Sequence, residues 1–407
     1  MQEAEAEAPD QRRTFRHLST IEFLFWFSAA SANYLTVFLQ RQGFQPNQVG
    51  IITAINAAVP ILATPFWGMI ADKIRSIRKI FLFCICFAVC FWALIPASSR
   101  IYIGPLMLLH FLIPVSSFFR NPAHSLMDAF VVQRTDLGHV SYGHVRLWGS
   151  IGWTVMCIIL SMVLPRAGVE VSFYIYGITF IPLILIMGRM KDISTGAPRE
   201  HRSFKSMDIG RLFKNYYFVS YLFCALFIQM PTSVSLTFLP YLVDAVGGNT
   251  AMYGLVAGYK ALLEVPSLLL MRTLKRKFPL PAAISAAGIL YIIEALLYTK
   301  ANSLFQIIMI QTFHGLGGGL MIGAASVYVY TMAPEGLNST AHTIHGGVNS
   351  IAAIIGSLAG GLLIMALGIR TFYVIIAMML AFALLYFFIS LVVGVKVLKK
   401  PIPFRRA

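Results

Sequence analysis

The sequence predicts an all-α membrane protein, a polytopic bundle of twelve transmembrane helices in two six-helix halves. Of its 407 residues, 58% are hydrophobic and only 12% are charged, about half the charged fraction of a typical soluble domain. The mean hydropathy is +0.75, and apolar stretches of roughly 20 residues, long enough to cross a bilayer, recur along the chain. Because lipid offers no hydrogen bonds to exposed backbone, a helical bundle fits so many stretches.

The apolar stretches define twelve predicted spans. They lie at 18–40, 48–71, 79–98, 102–131, 146–166, 171–189, 216–243, 250–272, 279–299, 303–331, 341–367 and 371–397. The segment 1–17 is polar, and no small-residue cleavage site follows the first stretch, so no cleavable signal peptide is expected.

A basic, polar connector at 190–215 divides the spans into two sets of six. It predicts an N-terminal half at 18–189 and a C-terminal half at 216–397, with a tail at 398–407. Paired halves around a site near the midplane of the bilayer are a common plan among transporters.

The net charge of +16 follows the connections between spans rather than one continuous face. Alternate connections, all on one side of a twelve-span arrangement, hold 24 of the 32 Lys and Arg residues, and the opposite side holds five. This asymmetry places both termini in the cytoplasm and the chain in the plasma (inner) membrane. Nucleic-acid binding needs a contiguous basic face and is not expected.

The residues most indicative of function lie just past the first third of the chain. Asp128 falls within the fourth span and Arg146 begins the fifth, while Arg120 and His124 lie upstream on the fourth. Charges at membrane depth are costly unless they are paired or face a watery cavity. They therefore mark a pathway for a polar solute.

The connection between the second and third spans carries a recognisable motif. Its residues Gly68, Asp72, Lys73, Arg75 and Arg78 resemble the loop motif of the major facilitator superfamily, G-x-x-x-D-R/K-x-G-x-R/K-R/K. The resemblance implies a gate at this turn, with the glycine allowing close helix contact and the acid accepting charge-assisted hydrogen bonds. Arg75 departs from the motif because it stands where the second glycine is usual.

The fourth and fifth spans resemble the lactose permease branch of that superfamily and its nucleoside and phenylpropionate symporter relatives. Asp128, Arg146, Gly149–Ser150 and Trp153 match its spacing of acid, arginine and tryptophan. The resemblance implies that the acid and the arginine bind substrate hydroxyls and that the tryptophan stacks on a ring. A sugar, a nucleoside and an aromatic acid all remain open as substrates. The alternative is that Asp128 and Arg146 only pair with each other and hold two helices together.

Polar residues also occur in the predicted spans of the C-terminal half. Lys260 and Glu264 are one helical turn apart, which predicts a self-contained ion pair. His314 resembles the tenth-span histidine of lactose permease, but Gly317 replaces the acid that follows it there. Proton coupling is therefore assigned to Glu294 and Glu264, with His314 orienting or relaying the proton and also contributing to substrate binding. Burial favours reversible protonation of such acids.

Glycines spaced by four residues predict close helix packing rather than a nucleotide-binding loop. Gly315 and Gly319 lie in the tenth span, and Gly356 and Gly360 in the eleventh. Small residues at this spacing let neighbouring helix backbones approach closely.

Together these features predict a secondary active transporter, a proton symporter for a small polar or amphipathic solute. The alternative is a membrane-embedded enzyme that uses the buried His and acids, although no HExxH or GxSxG motif occurs. Neither a metal nor an organic cofactor is expected, with protons serving as the coupling ion. The expected partners are the substrate and the lipid bilayer, with the protein acting as a monomer.

Overall fold

A computed structural model describes residues 11–190, 192, 210–274, 279–334 and 337–399. Several predicted segments lie outside the described residues. They are most of the N-terminal segment 1–17, residues 191 and 193–209 of the connector 190–215, the basic run at 275–277 and the tail from residue 400.

The described chain is built of α-helices and one short β-hairpin. The helices are α1 (Gln11–Ala29), α2 (Leu35–Arg41), α3 (Pro46–Ile74), α4 (Ile77–Ser98), α5 (Leu109–Leu137), α6 (Tyr142–Ala167), α7 (Val171–Arg189), α8 (Gly210–Lys214), α9 (Tyr216–Ala245), α10 (Tyr253–Leu274), α11 (Leu280–Tyr298), α12 (Leu304–Met332) and α13 (Asn338–Lys396). Strands β1 (Tyr102–Ile103) and β2 (Leu106–Met107) pair in antiparallel fashion. A 3₁₀ helix, Ala30–Tyr34, joins α1 to α2.

The predicted all-α membrane bundle is confirmed, with helices at all twelve predicted spans. Within the described residues, nine helices are long and apolar enough to cross a membrane by those criteria alone. The nine omit α1 and α5, whose polar and charged side chains lower their hydropathy. They also count α13 once, although it contains the last two predicted spans, which meet at Gly368, where φ is 79° and ψ is 163°. Glycine adopts such a positive φ readily, so it marks the turn between two helices.

The described residues group into two compact units. Unit 1 contains residues up to 33 together with 62–198, and unit 2 contains residues 34–61 together with 199–407. The helix α3 therefore contributes residues to both units. Since this division follows packing, the predicted halves at 18–189 and 216–397 remain a prediction.

In unit 1, α1 packs against α6 and α7, and α4 packs against α5 and α7. The buried residues Leu18, Ile21 and Phe25 recur at helical spacing along one face of α1. Gly152 of α6 lies directly against the backbone of Phe23, where any side chain would collide. This close approach brings the polar residues of α1 and α6 together.

In unit 2, α9 packs against α13, and α12 packs against α10 and α11. A Cβ atom at Gly315 would lie 2.7 Å from the carbonyl oxygen of Lys260, and one at Gly319 would lie 2.5 Å from that of Glu264. Gly356 has the same relation to the Met230 carbonyl, at 2.8 Å. The predicted packing role of these glycines is thereby confirmed.

The turn between α3 and α4 differs from its predicted form. No described residue lies within 4 Å of a Cβ atom built at Gly68, so the expected close helix contact is not formed within the described part of the chain. Asp72 and Lys73 are exposed, and Asp72 makes no ion pair among the residues described. Arg75 has φ of 55°, the left-handed conformation that glycine favours. At this position of the motif, where glycine is usual, the backbone of Arg75 thus has a conformation that favours glycine.

Asp192, rather than Asp72, is the acid that binds this turn. Ser76 caps the N-terminus of α4 and donates its hydroxyl to Asp192 at 2.6 Å. Arg78 Nε and Lys79 Nζ lie 3.6 and 3.8 Å from the Asp192 carboxylate, and Arg78 also donates to the Met187 and Gly188 carbonyls at the end of α7. The contacts fasten the α3–α4 turn to the segment after α7.

The Asp192 contacts predict a small, pH-dependent contribution to stability. Burial alone would raise the pKa of Asp192, but hydrogen bonds from Ser76 and Arg78 and the charges of Arg78 and Lys79 lower it overall. A lowered pKa stabilises the fold above the unfolded-state pKa, and the effect is lost as pH falls through the folded-state pKa. Asp192→Asn should therefore cost about 0.5–1 kcal/mol near neutral pH.

Thermal melts of the purified protein in detergent would measure this loss. The gap between Asp192→Asn and the wild type should stay constant from about pH 8 to pH 5 and narrow only at more acidic pH. The matched control is Asp72→Asn, which removes an exposed acid of the same turn and should leave stability unchanged. Equal losses in both variants would contradict the assignment to Asp192.

Candidate functional site

Unit 1 brings three ionisable side chains together from three different helices. They are Glu22 of α1, Asp128 of α5 and Arg146 of α6, and we call them the charged cluster. Arg146 attracts both carboxylates electrostatically, and the two carboxylates repel each other. Charged groups at this depth are rare in membrane proteins and usually functional. The structure therefore joins the predicted residues Asp128 and Arg146 with an acid from α1.

The Arg146 side chain stacks on an aromatic ring and occupies the space left by the missing side chain at Gly149. Its guanidinium carbon lies 4.2 Å from the centre of the Trp26 ring, a cation–π arrangement. A Cβ atom at Gly149 would lie 2.7 Å from Arg146 Nη1 and 2.9 Å from Glu22 Oε2, and would also meet Trp26 Cδ1. Arg146 and Glu22 thus face each other across the bare backbone of Gly149.

Asp128 and Arg146 do not form a direct ion pair. Among the described residues, no ion pair within 4.0 Å involves either of them. Asp128 instead accepts a hydrogen bond of 3.4 Å from the Tyr142 hydroxyl, at the start of α6. The alternative interpretation was that these two residues serve only to bond α5 to α6. The described residues contain no direct bond between them.

Aromatic rings line the charged cluster on one side. The ring centre of Trp26 lies 5.3 Å from that of His124 and 6.0 Å from that of Trp153. Ser150 and Trp153 are both partly buried on α6, one and four positions beyond Gly149. The predicted Trp153 is therefore close to the cluster, through Trp26. Flat indole faces suit stacking on an apolar sugar face or an aromatic base.

Arg120 takes a different place from Asp128, although both are on α5. Its guanidinium carbon lies 4.3 Å from the centre of the Trp92 ring on α4, and its charge acts on Tyr176 of α7. It therefore lies in the interior of unit 1, between α4 and α7. His124, one turn along, joins the aromatic group beside Trp26.

Glu22 is the member of the charged cluster that sequence reasoning missed. Its exposed fraction is 0%, and among the described residues neither carboxylate oxygen has a hydrogen-bond partner. The indole N–H of Trp26 lies beside it but falls short of hydrogen-bond geometry. The available signal was an isolated acid within the first apolar stretch, which is by itself a functional indication in a membrane span.

Gly149→Ala should distort the charged cluster and destabilise unit 1. The added methyl group would overlap Trp26 and crowd Arg146 and Glu22, and overpacking of this kind costs about 1–3 kcal/mol. Gly188→Ala on α7 is the control, because no described residue lies within 4 Å of the methyl it adds. Thermal melts should show a loss for Gly149→Ala only, and equal stability of the two variants would contradict the geometry described above.

Unit 2 contains a second polar cluster, formed by α11 and α12. His314 Nδ1 lies 2.8 Å from Glu294 Oε2, with the side chains 8% and 4% exposed. Nearby, Gln311 donates to the Tyr298 hydroxyl at 2.7 Å, and the Tyr291 ring centre lies 5.1 Å from that of His314. The two residues predicted to handle protons are thus in direct contact. An imidazole bonded to a buried carboxylate can exchange a proton with it.

Lys260 and Glu264 do not form the predicted ion pair. Both are partly buried on α10, yet no ion pair within 4.0 Å joins them among the described residues. Glu264 instead faces α12, where a Cβ atom at Gly318 would lie 3.5 Å from Glu264 Oε1. Helical spacing allows an ion pair four residues apart but does not require one, because the neighbouring helix can attract either side chain.

Comparisons with known proteins place the chain among transporters. Residues 16–375 match the MFS_1 like family. The chain is 24% identical over 381 residues to the maltose permease of Geobacillus stearothermophilus, covering 92% of this chain and 91% of that protein. It is 22% identical over 359 residues to the uncharacterized transporter YwbF of Bacillus subtilis (strain 168), covering 85% and 86%.

Two solved structures have the same fold at low sequence identity. A mutant of the nucleoside transporter NupG superposes with a TM-score of 0.80 at 14% identity, covering 94% of this chain and 100% of that one. A POT family transporter in complex with a thioalcohol-conjugated peptide superposes with a TM-score of 0.71 at 14% identity, covering 94% and 96%.

Proposed function

The chain belongs to the MFS_1 like family of major facilitator transporters, and from this premise we propose that it takes up a small, neutral, hydroxyl-rich solute together with protons. The solute is a sugar, a glycoside or a nucleoside, moved by alternating access. The relatives named above are transporters, so the chain is a multi-pass membrane transporter and not an embedded enzyme.

The observation that carries the substrate proposal is the unused bonding capacity of the charged cluster. Within the described part of the chain, Glu22 has no hydrogen-bond partner and Arg146 is in no ion pair. Hydroxyl groups both donate to carboxylates and accept from a guanidinium, so a hydroxyl-rich ligand satisfies all three side chains. Arginine adds a fixed fork that can bond two ligand oxygens at once.

The same cluster argues against an aromatic acid as substrate. A ligand carboxylate could pair with Arg146, but Glu22 and Asp128 would repel it. Trp26 and Trp153 offer flat apolar faces to a sugar ring or a base. The name of one relative refers to maltose and that of one structural neighbour to nucleosides, and both kinds of compound are hydroxyl-rich.

Proton coupling is assigned to unit 2. Glu294 is 3% exposed and touches His314, an arrangement in which an acid can bind and release a proton away from bulk water. Glu264 is the second acid available for this role. His314 orients or relays the proton and contributes to substrate binding. The proposal includes no metal or organic cofactor.

A binding screen tests the substrate class. Purified full-length protein would be melted in the presence of sugars, nucleosides and aromatic acids, and ligands that raise the melting temperature would be followed in uptake assays with and without a protonophore. We expect stabilisation by neutral hydroxylated compounds and loss of their accumulation when the protonophore is added. Stabilisation by aromatic acids alone would contradict the proposed substrate.

The proposed location is the plasma (inner) membrane, with a monomer whose termini both face the cytoplasm. Tags at the two ends and within 190–215 should be protected in intact cells and accessible after permeabilisation, because the basic connections remain on the cytoplasmic side. Labelling of any of the three tags from outside would contradict this orientation.

A further inference from the structure

The charged cluster contains more negative than positive charge. Glu22 and Asp128 both face Arg146, so the three groups sum to a net negative charge when all are ionised. An ion buried without compensation is costly, and a proton is the simplest means of removing that cost. Glu22 is the more enclosed acid, since it is fully buried and Asp128 is only partly buried and accepts a hydrogen bond from Tyr142.

No other cation of the described helices in unit 1 compensates Glu22. On α5, Arg120 is stacked on Trp92 and is not among the groups that act on Glu22. The imidazole of His124 is close enough to Arg120 and Arg146 for both positive charges to disfavour its protonation. On α6, Tyr142 is a weak acid that interacts with both carboxylates. Among the described residues of α1, the indole N–H of Trp26 is the polar group that acts on Glu22.

Resting on the proposed function, we propose that Glu22 is a second proton-binding residue of the transporter, separate from Glu294, and that its proton is taken up when substrate engages Arg146. A ligand hydroxyl that accepts from Arg146 diverts the guanidinium from the two carboxylates. The Glu22 carboxylate then binds one proton from water to become a neutral acid. When the substrate leaves, Arg146 again faces the carboxylate and the proton returns to water.

Calorimetric titration in buffers of different ionisation enthalpy measures the number of protons taken up on binding. The probes are maltose and uridine, applied to wild-type protein and to the Glu22→Gln and Glu294→Gln variants. Glu22→Gln should take up about one proton fewer than wild type, and Glu294→Gln should keep the share that belongs to Glu22. The control Asp136→Asn removes an exposed acid at the end of α5 and should match wild type.

The possible results separate this inference from the proposed function. If Glu22→Gln takes up as many protons on binding as wild type, the inference is overturned and the transporter proposal stays in place. If wild-type protein binds neither probe nor any other neutral hydroxylated compound, the proposed function is overturned. A cationic substrate would also overturn the inference, because Glu22 would then pair with the ligand.

Should Glu22→Gln fail to fold or bind, Glu22→Asp keeps an acid at the same position. Its binding affinity should change with pH by up to about tenfold per unit, as expected for one linked proton. The same measurement is made on a double variant that combines Glu22→Asp with Glu294→Gln. If its binding affinity does not depend on pH, the inference is overturned.

Discussion

Arg146→Lys is expected to weaken substrate binding by about 10- to 100-fold while the protein still inserts and folds. Lysine keeps the charge but loses the planar fork that bonds two ligand oxygens. It also loses much of the stacking on Trp26, whose ring centre lies 4.2 Å from the guanidinium carbon. Hydrogen bonds to a charged group are worth roughly 1.5–3 kcal/mol, which corresponds to this range of affinity.

Titration of the purified variant with the substrate found by the screen would measure the loss. Arg166→Lys is the matched control, because Arg166 is exposed near the other end of the same helix, and it should bind as wild type. Asp128→Asn should also lose binding. If both single variants lose binding but exchanging Asp128 and Arg146 restores it, the two residues form a structural pair and the binding role is wrong.

Glu294→Gln is expected to lower uphill accumulation severely and leave exchange of bound substrate largely intact. In the wild type, His314 Nδ1 lies 2.8 Å from Glu294 Oε2. Glutamine keeps the size of the side chain and can still form a hydrogen bond with His314, but it cannot carry a proton. Without the proton of Glu294, only a proton bound by Glu22 is left to drive accumulation. The two halves of this prediction separate coupling from binding.

Uptake and counterflow in the same vesicles measure accumulation and exchange side by side. Asp244→Asn is the control, since Asp244 is exposed at the end of α9, and both of its activities should be normal. Normal accumulation by Glu294→Gln would move the proton role to Glu264, or to Glu22 alone.

The fold was predictable from the sequence because the signal for a membrane helix is local. Each apolar stretch of about 20 residues carries its own evidence, so the spans were predicted even where α1 and α5 contain charged side chains. Glycine spacing likewise predicted the close contact of α12 with α10, because a missing side chain has the same consequence in any packed helix. The turn at Gly368 was predicted as the break between the last two spans.

The charged cluster was predictable only in part, because it joins residues distant in sequence. Asp128 and Arg146 are 18 positions apart and fit a family pattern, whereas Glu22 reaches them only through the packing of α1 on α6. For a similar reason the sequence pointed to Asp72 at the α3–α4 turn, whereas the structure shows Asp192 there. The acid that binds Ser76 comes from beyond α7. Local spacing predicted a Lys260–Glu264 pair, whereas in the structure Glu264 lies beside Gly318 of α12.

The central claim is that the solute and protons cross the membrane together, and proton movement driven by the solute alone tests it most directly. Wild-type protein would be reconstituted in vesicles containing a pH-sensitive dye, with no initial pH difference and a substrate gradient directed inward. We predict that substrate entry acidifies the vesicle interior and that Arg146→Lys abolishes the signal. Two results together would contradict the account. Substrate would enter with no change in internal pH, and its rate of entry would not respond to an imposed pH gradient.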